Sequence, residues 1–410
     1  MARLREVRVH RVRVPLVGHF TTAVRSATEL ETVLVEAIDS DGFSGWGEAP
    51  ISKVTRLSTE QAVASIEGPL AALVLHQDGG LHGTNAHSGT GLGGALPGEL
   101  SESLARLEQS TEPPAARMAM DCALHDLAAQ QHGVDLATYL ASIIASGEAQ
   151  SGFGIKALAK VPQVKIETDI TLSVAPPAEL ATKAAAHVAA GFRCLKVKLD
   201  ARMDVLASMQ AVRAAAGDQT VLRIDANQAF NASEAIRVIR ALEDAGLNIE
   251  LAEQPVPAGD WAGLAQVSAA VETPVLADES LWNLQDLEQL LRYQAAPMVN
   301  IKLAKTGGLR HGLRLLERAT AEGIDVVIGC MLESHVGIGA AVALAAQLPA
   351  SDGRSVADGR SGSDGRSAAQ DLDGGLWLTA SPVRGGIEYQ GMNIQRSTAP
   401  GLGISGLALG

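Results

Sequence analysis

Four strand-like apolar runs end in a charged residue at nearly even intervals, and this rhythm narrows the architecture more than any other feature of the chain. VLRIDANQ carries Asp225, NIELAEQPV carries Glu253, PVLADES carries Asp278 and APMVNIKLAKTGG carries Lys302, at spacings of 28, 25 and 24 residues. Each step is the length of one strand, one loop and one helix, which is the repeat of a parallel β/α barrel. The run at 165–174 and CLKVKLD precede these four, and DVVIGCMLES and QDLDGGLWL follow them. That makes eight strands, the number that closes such a barrel. Active groups in barrels gather at the carboxyl ends of the strands, where Lys198, Asp225, Glu253, Asp278 and Lys302 all fall.

The segments around the barrel read differently. Residues 1–50 alternate charged and apolar positions around the turn signal DSDG, as a β-meander does. A helical pattern starts at Ser58, a plausible N-cap, and runs through STEQAVASIEGPLAALVL. Residues 77–100 are Gly-rich and predict a surface loop, with His82 and His87 in solvent. The pattern ARMAMDCALHDLAAQQHG predicts an amphipathic helix closed by Gly133. The predicted organisation is an α/β chain: an α+β unit over 1–130, a barrel over 131–378, and a C-terminal segment over 379–410 that returns to the first unit. DGRS recurs at 352, 358 and 364, so 351–368 predicts a flexible polar insertion in the barrel.

Composition removes several function classes. A formal net charge of −13 argues against nucleic acid, because tracking phosphates requires a basic face. The most apolar stretch, 336–348, is shorter than the roughly 20 residues of a membrane-spanning helix, and the N-terminus lacks the apolar core of a secretory signal. Three cysteines, Cys122, Cys194 and Cys330, are widely spaced and support neither a disulfide framework nor a thiolate zinc site. The expectation is a cytoplasmic protein.

In CLKVKLD, Lys196 and Lys198 alternate with Leu195, Val197 and Leu199, so in a strand both ammonium groups share one face. A solvated edge strand that uses lysine to block mispairing would show the same pattern. The carboxylates at the later strand ends favour chemistry instead. Asp225, Glu253 and Asp278, with no histidine or thiolate among them, make a hard oxygen site suited to Mg²⁺. One such residue alone would read as a cap or a surface charge; three at matched strand ends point to metal ligation. Lysines beside a metal suggest proton transfer at carbon. Removing a hydrogen alpha to a carboxylate requires stabilising an enediolate, which a cation helped by Lys196 would do. Lys198 and Lys302 would be the acid and base. Their ordinary pKa of about 10.4 is too high for a base at neutral pH, and nearby positive charge lowers it. On strands two and six, across the barrel, they would face opposite sides of one α-carbon, which means racemisation or epimerisation.

KVK, the Asp225/Glu253/Asp278 series, Lys302 of NIK, GWGEAP and GCMLES together resemble the enolase superfamily in its muconate-lactonising subgroup. Sites of that superfamily use a Lys or His base with Mg²⁺. The resemblance implies a modified (β/α)7β barrel under an N-terminal α+β capping domain completed by the C-terminal tail. Within it, QDLDGG resembles the motif by which dipeptide epimerases hold a substrate's α-ammonium group, which would assign that role to Asp371 and Asp373; a DxDG turn is the alternative. The loop TTAVRSA would assign Arg25 to the side-chain carboxylate of an alanyl-glutamate, and Thr171 matches a substrate-contacting position. The expected activity is Mg²⁺-dependent epimerisation of a dipeptide such as L-Ala-D/L-Glu, by an isomerase that assembles as a homo-oligomer. N-succinylamino-acid racemase or o-succinylbenzoate synthase is the enzymatic alternative, and a catalytically retired barrel scaffold the non-enzymatic one.

Overall fold

The computed structural model describes residues 3–22, 26–75, 98–146, 162–348 and 369–408. Arg25, His82, His87 and the DGRS insertion lie outside the described residues. The chain begins with an antiparallel sheet of β1 (Leu4–Thr21), β2 (Ser26–Asp39) and β3 (Ser44–Pro50), in that order. Asp39 shapes the turn after β2 by accepting from the amides of Asp41 and Phe43, both at 2.9 Å. Helix α1 (Thr59–Ser65) starts in a capping box between Ser58 and Gln61. The pattern that predicts one helix to Leu75 is interrupted by a π-turn over Ile66–Leu70 containing Pro69, whose missing N–H disturbs the ladder, before α2 (Ala71–Val74). Helix α3 (Gly98–Glu108) begins at the edge of the predicted loop. Helix α4 (Pro114–Gln131) ends before Gly133, at φ +67°, and α5 (Leu136–Ser146) follows. A Cβ at Gly47 would lie 1.9 Å from the Ala119 carbonyl oxygen and one at Gly45 2.1 Å from that of Ala123. Glycine is therefore what lets β3 lie directly on α4.

After β4 (Lys165–Glu167) comes a seven-stranded parallel sheet in sequence order. Its first four strands are β5 (Ile170–Leu172), β6 (Cys194–Lys198), β7 (Val221–Asp225) and β8 (Ile249–Glu253). The last three are β9 (Val275–Ala277), β10 (Met298–Lys302) and β11 (Asp325–Gly329). The crossovers are α6 (Pro177–Ala189), α7 (Val205–Ala216), α8 (Ala232–Asp244), α9 (Trp261–Ala270) and α10 (Leu284–Tyr293). Beyond β10 lie the short α11 (Leu303–Thr306) and α12 (Leu309–Ala321), and beyond β11 lies α13 (His335–Ala345). Inside the barrel, Leu251, Leu276, Met298 and Val327 form a small apolar cluster. The residues two positions later on three of these strands are Glu253, Asp278 and Asn300, so the interior turns from apolar to polar toward the carboxyl ends.

Both ends of the predicted barrel differ from expectation. The run at 165–174 is two strands: β4 pairs with a C-terminal hairpin and only β5 enters the barrel. The predicted eighth strand shrinks to Gln370 and Asp371, which bridge β11 through Gly329 and the first-strand segment through Thr168. Side chains take over where the ladder stops. The Gln370 side-chain oxygen accepts from the Ile328 amide at 2.8 Å, and Asp373 Oδ2 accepts from the Thr171 amide at 2.7 Å. A 3₁₀ turn, Asp373–Trp377, follows at once.

The C-terminal strands are β12 (Val383–Gly385), β13 (Glu388–Gln390), β14 (Asn393–Gln395) and β15 (Ile404–Leu407). β13 and β14 join β4, and β12 pairs with β15. The Leu402 amide donates to Asp126 of α4 at 2.6 Å and the Leu136 amide to the Gly401 carbonyl at 2.9 Å. β6 lies between β5 and β7, and Lys196 and Lys198 are 2% and 6% exposed, which excludes the solvated-edge reading. Among the described residues no helix is long and apolar enough to cross a membrane.

Candidate active site

A pocket opens at the carboxyl ends of the strands. Thr171, Lys196, Lys198, Asp278, Lys302, Asp371 and Asp373 line it from the barrel, and Phe20, Thr22 and Lys53 from the N-terminal sheet and its loops. Asp225 and Glu253 lie just behind, at 0% and 2% exposure. Period-two alternation brings Lys196 and Lys198 to the same side of β6. Lys302 ends β10, separated from β6 by three intervening strands.

The charges interlock. Lys198 Nζ donates to Asp225 Oδ2 at 2.5 Å. Lys302 Nζ lies 2.9 Å from Asp278, 3.3 Å from Asp371 and 3.7 Å from Glu253. Lys196 pairs with Asp371 and lies 3.6 Å from Glu253. Burial opposes the charge on Lys302, but Asp278, Asp371 and Glu253 outweigh it and raise its pKa; Lys196 is raised in the same way by Asp371 and Glu253. This direction is opposite to the lowering expected for a base, because carboxylates and not cations are the nearest charges. Burial, followed by the charges of Asp225 and Asp278, pushes Glu253 up to about 8. Burial also acts on Asp278, where Lys302 and Lys305 overcome it and hold the carboxyl well below its usual range.

Asp225, Glu253 and Asp278 end neighbouring strands, yet each meets a lysine ammonium. Among the described residues, the acidic group whose ligand oxygens all lie within 4.8 Å of one another is Asp169, Asp371 and Asp373 instead. Two further buried oxygens beside the strand-end carboxylates, Asn227 Oδ1 and Glu279 Oε2, have no hydrogen-bond partner. Burial and the charges of Asp278 and Asp225 push Glu279 up to about 7. This oxygen-only donor set, with neither nitrogen nor sulfur, is the chemistry that suits Mg²⁺.

Asp371 and Asp373 are both buried and both line the pocket, Asp371 on the closing bridge and Asp373 at the start of the 3₁₀ turn. Thr171 meets Asp373 through its backbone amide. Sequence reasoning passed over several residues here. Asn300, two before Lys302 and so on the same face of β10, donates to Glu253 and Asp371, each at 3.0 Å. Lys305 is 1% exposed and donates to Asp278 Oδ1 at 2.5 Å. Beside Lys196 on the neighbouring strand, Arg223 lies 3.0 Å from Asp169 and 2.6 Å from Glu250. The two-residue periodicity was a signal for Asn300 and Arg223; Lys305, on a short helix, offered none.

The motifs GWGEAP and GCMLES meet in space. Glu48, fully buried, accepts from the Ser334 hydroxyl at 2.6 Å, the Gly337 amide at 2.8 Å and the Thr32 hydroxyl at 2.8 Å, tying the N-terminal sheet to the start of α13. Glu333 Oε2 has no partner, and it and Glu48 Oε2 both come within 3.0 Å of the point a Cβ on Gly337 would occupy. Burial and the Glu48 charge push Glu333 up to about 8. A carboxyl whose folded pKa stands above its ordinary 4.5 contributes stability below that value, and the contribution is lost as pH rises through about 8. The expected result is a melting temperature that falls between pH 5 and 8.5, with Glu333→Gln removing a share on the order of 3 kcal/mol and the similarly raised Glu253 and Glu279 leaving the remainder. An equal fall in the variant would assign the dependence elsewhere.

The fold and pocket define a capped β/α barrel with its charged residues at the carboxyl face. Residues 179–406 match the family described as enolase C-terminal domain-like. The chain is 33% identical to the L-Ala-D/L-Glu epimerase of Clostridium acetobutylicum over 98% of its own length and 99% of that protein. It superposes on the substrate-liganded L-Ala-D/L-Glu epimerase from Bacillus subtilis with a TM-score of 0.81 and 32% identity, covering 99% of this chain and 100% of that one. A dipeptide epimerase from Enterococcus faecalis, complexed with Mg and L-Leu-L-Tyr, gives a TM-score of 0.78 at 28% identity, covering 98% of this chain and 99% of that one. The chain belongs to the enolase superfamily, alongside these epimerases.

Proposed function

We propose that this protein is an isomerase that epimerises dipeptides by 1,1-proton transfer, with Mg²⁺ as its cofactor and L-Ala-D/L-Glu or a related dipeptide as its substrate. The observation that carries the reading is that Lys198 and Lys302, at the ends of strands separated by three others, line one pocket together with a buried pair of carboxylates. Full-length similarity to proteins named for dipeptide epimerisation supports the same reaction.

Asp225, Glu253 and Asp278 would hold the metal; bound there, it supplies positive charge for the substrate carboxylate and relieves the mutual repulsion that raises Glu253. Positive charge held by these residues would also offset the carboxylates that raise Lys302 and so bring that amine closer to a base's range. One lysine takes the α-proton and the other delivers a proton to the opposite face, so the configuration inverts. Lys196 stabilises the negative charge that develops on the substrate carboxylate. Asp371 and Asp373 pair with the α-ammonium group, and Arg25 is assigned to a side-chain carboxylate on the resemblance alone. The net charge of −13 supports a small-molecule substrate over nucleic acid. Homo-oligomeric assembly and a cytoplasmic location belong to the same reading and rest on the family resemblance and the sequence.

The test is incubation with a dipeptide library and Mg²⁺ in D₂O, followed by mass. Gain of one deuterium by dipeptides is expected. Exchange only with N-acyl amino acids would select the racemase alternative, and exchange with neither would contradict the reading.

A further inference from the structure

Trp377 closes the 3₁₀ turn after Asp373 and stands between that carboxylate and the N-terminal sheet. Its indole Nε1–H donates to Asp373 Oδ2 at 3.1 Å, the same oxygen that accepts from the Thr171 amide at 2.7 Å. Two donors on one oxygen set the rotation of the carboxylate and leave Oδ1 for a cationic group in the pocket. On its other side, the Trp377 ring meets Phe20 edge to face, with centroids 5.0 Å apart and planes at 85°. Phe20 lines the pocket from near the end of β1.

That part of β1 is stitched to the barrel on both sides of the contact. Leu16 bridges Leu378, and the Thr379 amide donates to the Pro15 carbonyl at 3.0 Å. Across the strand, the Thr21 amide donates to Ser173 Oγ at 3.2 Å and the Val174 amide to the Thr21 carbonyl at 3.1 Å. Trp377 thus joins, through one ring, the seated N-terminal strand and the aim of a pocket carboxylate.

We propose that Trp377 is a positioning residue that sets the enzyme's preference for a free α-ammonium group by fixing the Asp373 carboxylate while β1 is seated. The inference rests on the assignment of Asp371 and Asp373 to that ammonium. Trp377→Phe keeps an aromatic edge against Phe20 and removes only the N–H donor. The bond is made within the protein and not to the ligand, so its loss weakens binding by freeing the Asp373 carboxylate to turn away from the ammonium, and a roughly tenfold loss of affinity is expected.

The experiment compares the dissociation constants of one dipeptide and its N-acetyl analogue by calorimetry on the Mg²⁺-loaded protein. Their ratio does not depend on the fraction of protein that is folded. The wild type is expected to favour the free amine, Trp377→Phe to shrink the ratio about tenfold with kcat for the dipeptide changed less than about twofold, and the double variant with Asp373→Asn to lose no more than Asp373→Asn alone. An unchanged ratio in Trp377→Phe, or losses that simply multiply in the double variant, would overturn the positioning role. A wild type with no preference for the free amine would remove the ammonium assignment itself, and the proposal with it.

Discussion

Replacing Lys302 by Met is expected to lower kcat for epimerisation by about a thousandfold, within the range of about 10²–10⁴ that a positioned acid or base contributes. Lys198→Met should cost about as much, because inversion needs both groups and either loss stops it. The two variants differ in their side effects. Lys302 lies between Asp278, Asp371 and Glu253, whereas Lys198 is bonded to Asp225. Removing Lys302 leaves three carboxylates with less countercharge, so Mg²⁺ should bind that variant more tightly than the wild type. A Mg²⁺ titration beside the kinetics therefore separates loss of the proton carrier from loss of the metal. Retention of more than a tenth of wild-type kcat in either variant would remove that lysine from the chemistry.

The second large effect falls on stability. Lys305 is buried with its ammonium on the Asp278 carboxylate, and it also donates to the Asn300 carbonyl at 3.1 Å. Lys305→Met leaves Asp278 with Lys302 as its one adjacent ammonium among the described residues, at 2.9 Å, and removes a bond that anchors the end of β10. Breaking one partner of a buried pair costs about 3–5 kcal/mol, so a clear fall in melting temperature is expected in metal-free buffer. Part of that loss should be recovered by saturating Mg²⁺, since a cation on Asp278 replaces the missing charge. A melting temperature unchanged in metal-free buffer would mean that Lys302 alone compensates Asp278, and the structural role given to Lys305 would fail.

The barrel rhythm was legible because each strand carries its own signal: apolar residues alternating with one or two charged ones that point inward, as Lys196, Lys198, Asp225 and Lys302 do. The two ends of the barrel were less legible. At Asp373 and Gln370 the side chains bond backbone amides that a strand would otherwise pair, and no pattern of hydrophobicity records such a substitution. Contacts between distant segments were hidden for a similar reason. Glu48 and Glu333 each sit in a motif that stood out, but their meeting depends on the N-terminal sheet coming to rest on α13. Asp169, Asp371 and Asp373 converge only because the first and last barrel segments become neighbours.

The most direct test of the two-lysine arrangement follows α-proton exchange of each epimer separately, by NMR in D₂O with Mg²⁺ and a dipeptide that the wild type inverts. If the amines attack one carbon from opposite faces, Lys198→Met and Lys302→Met will each stop inversion, and each will still exchange a single epimer, a different one in each variant. Loss of exchange for the same epimer in both variants, or inversion in either at more than about a tenth of the wild-type rate, would contradict the account.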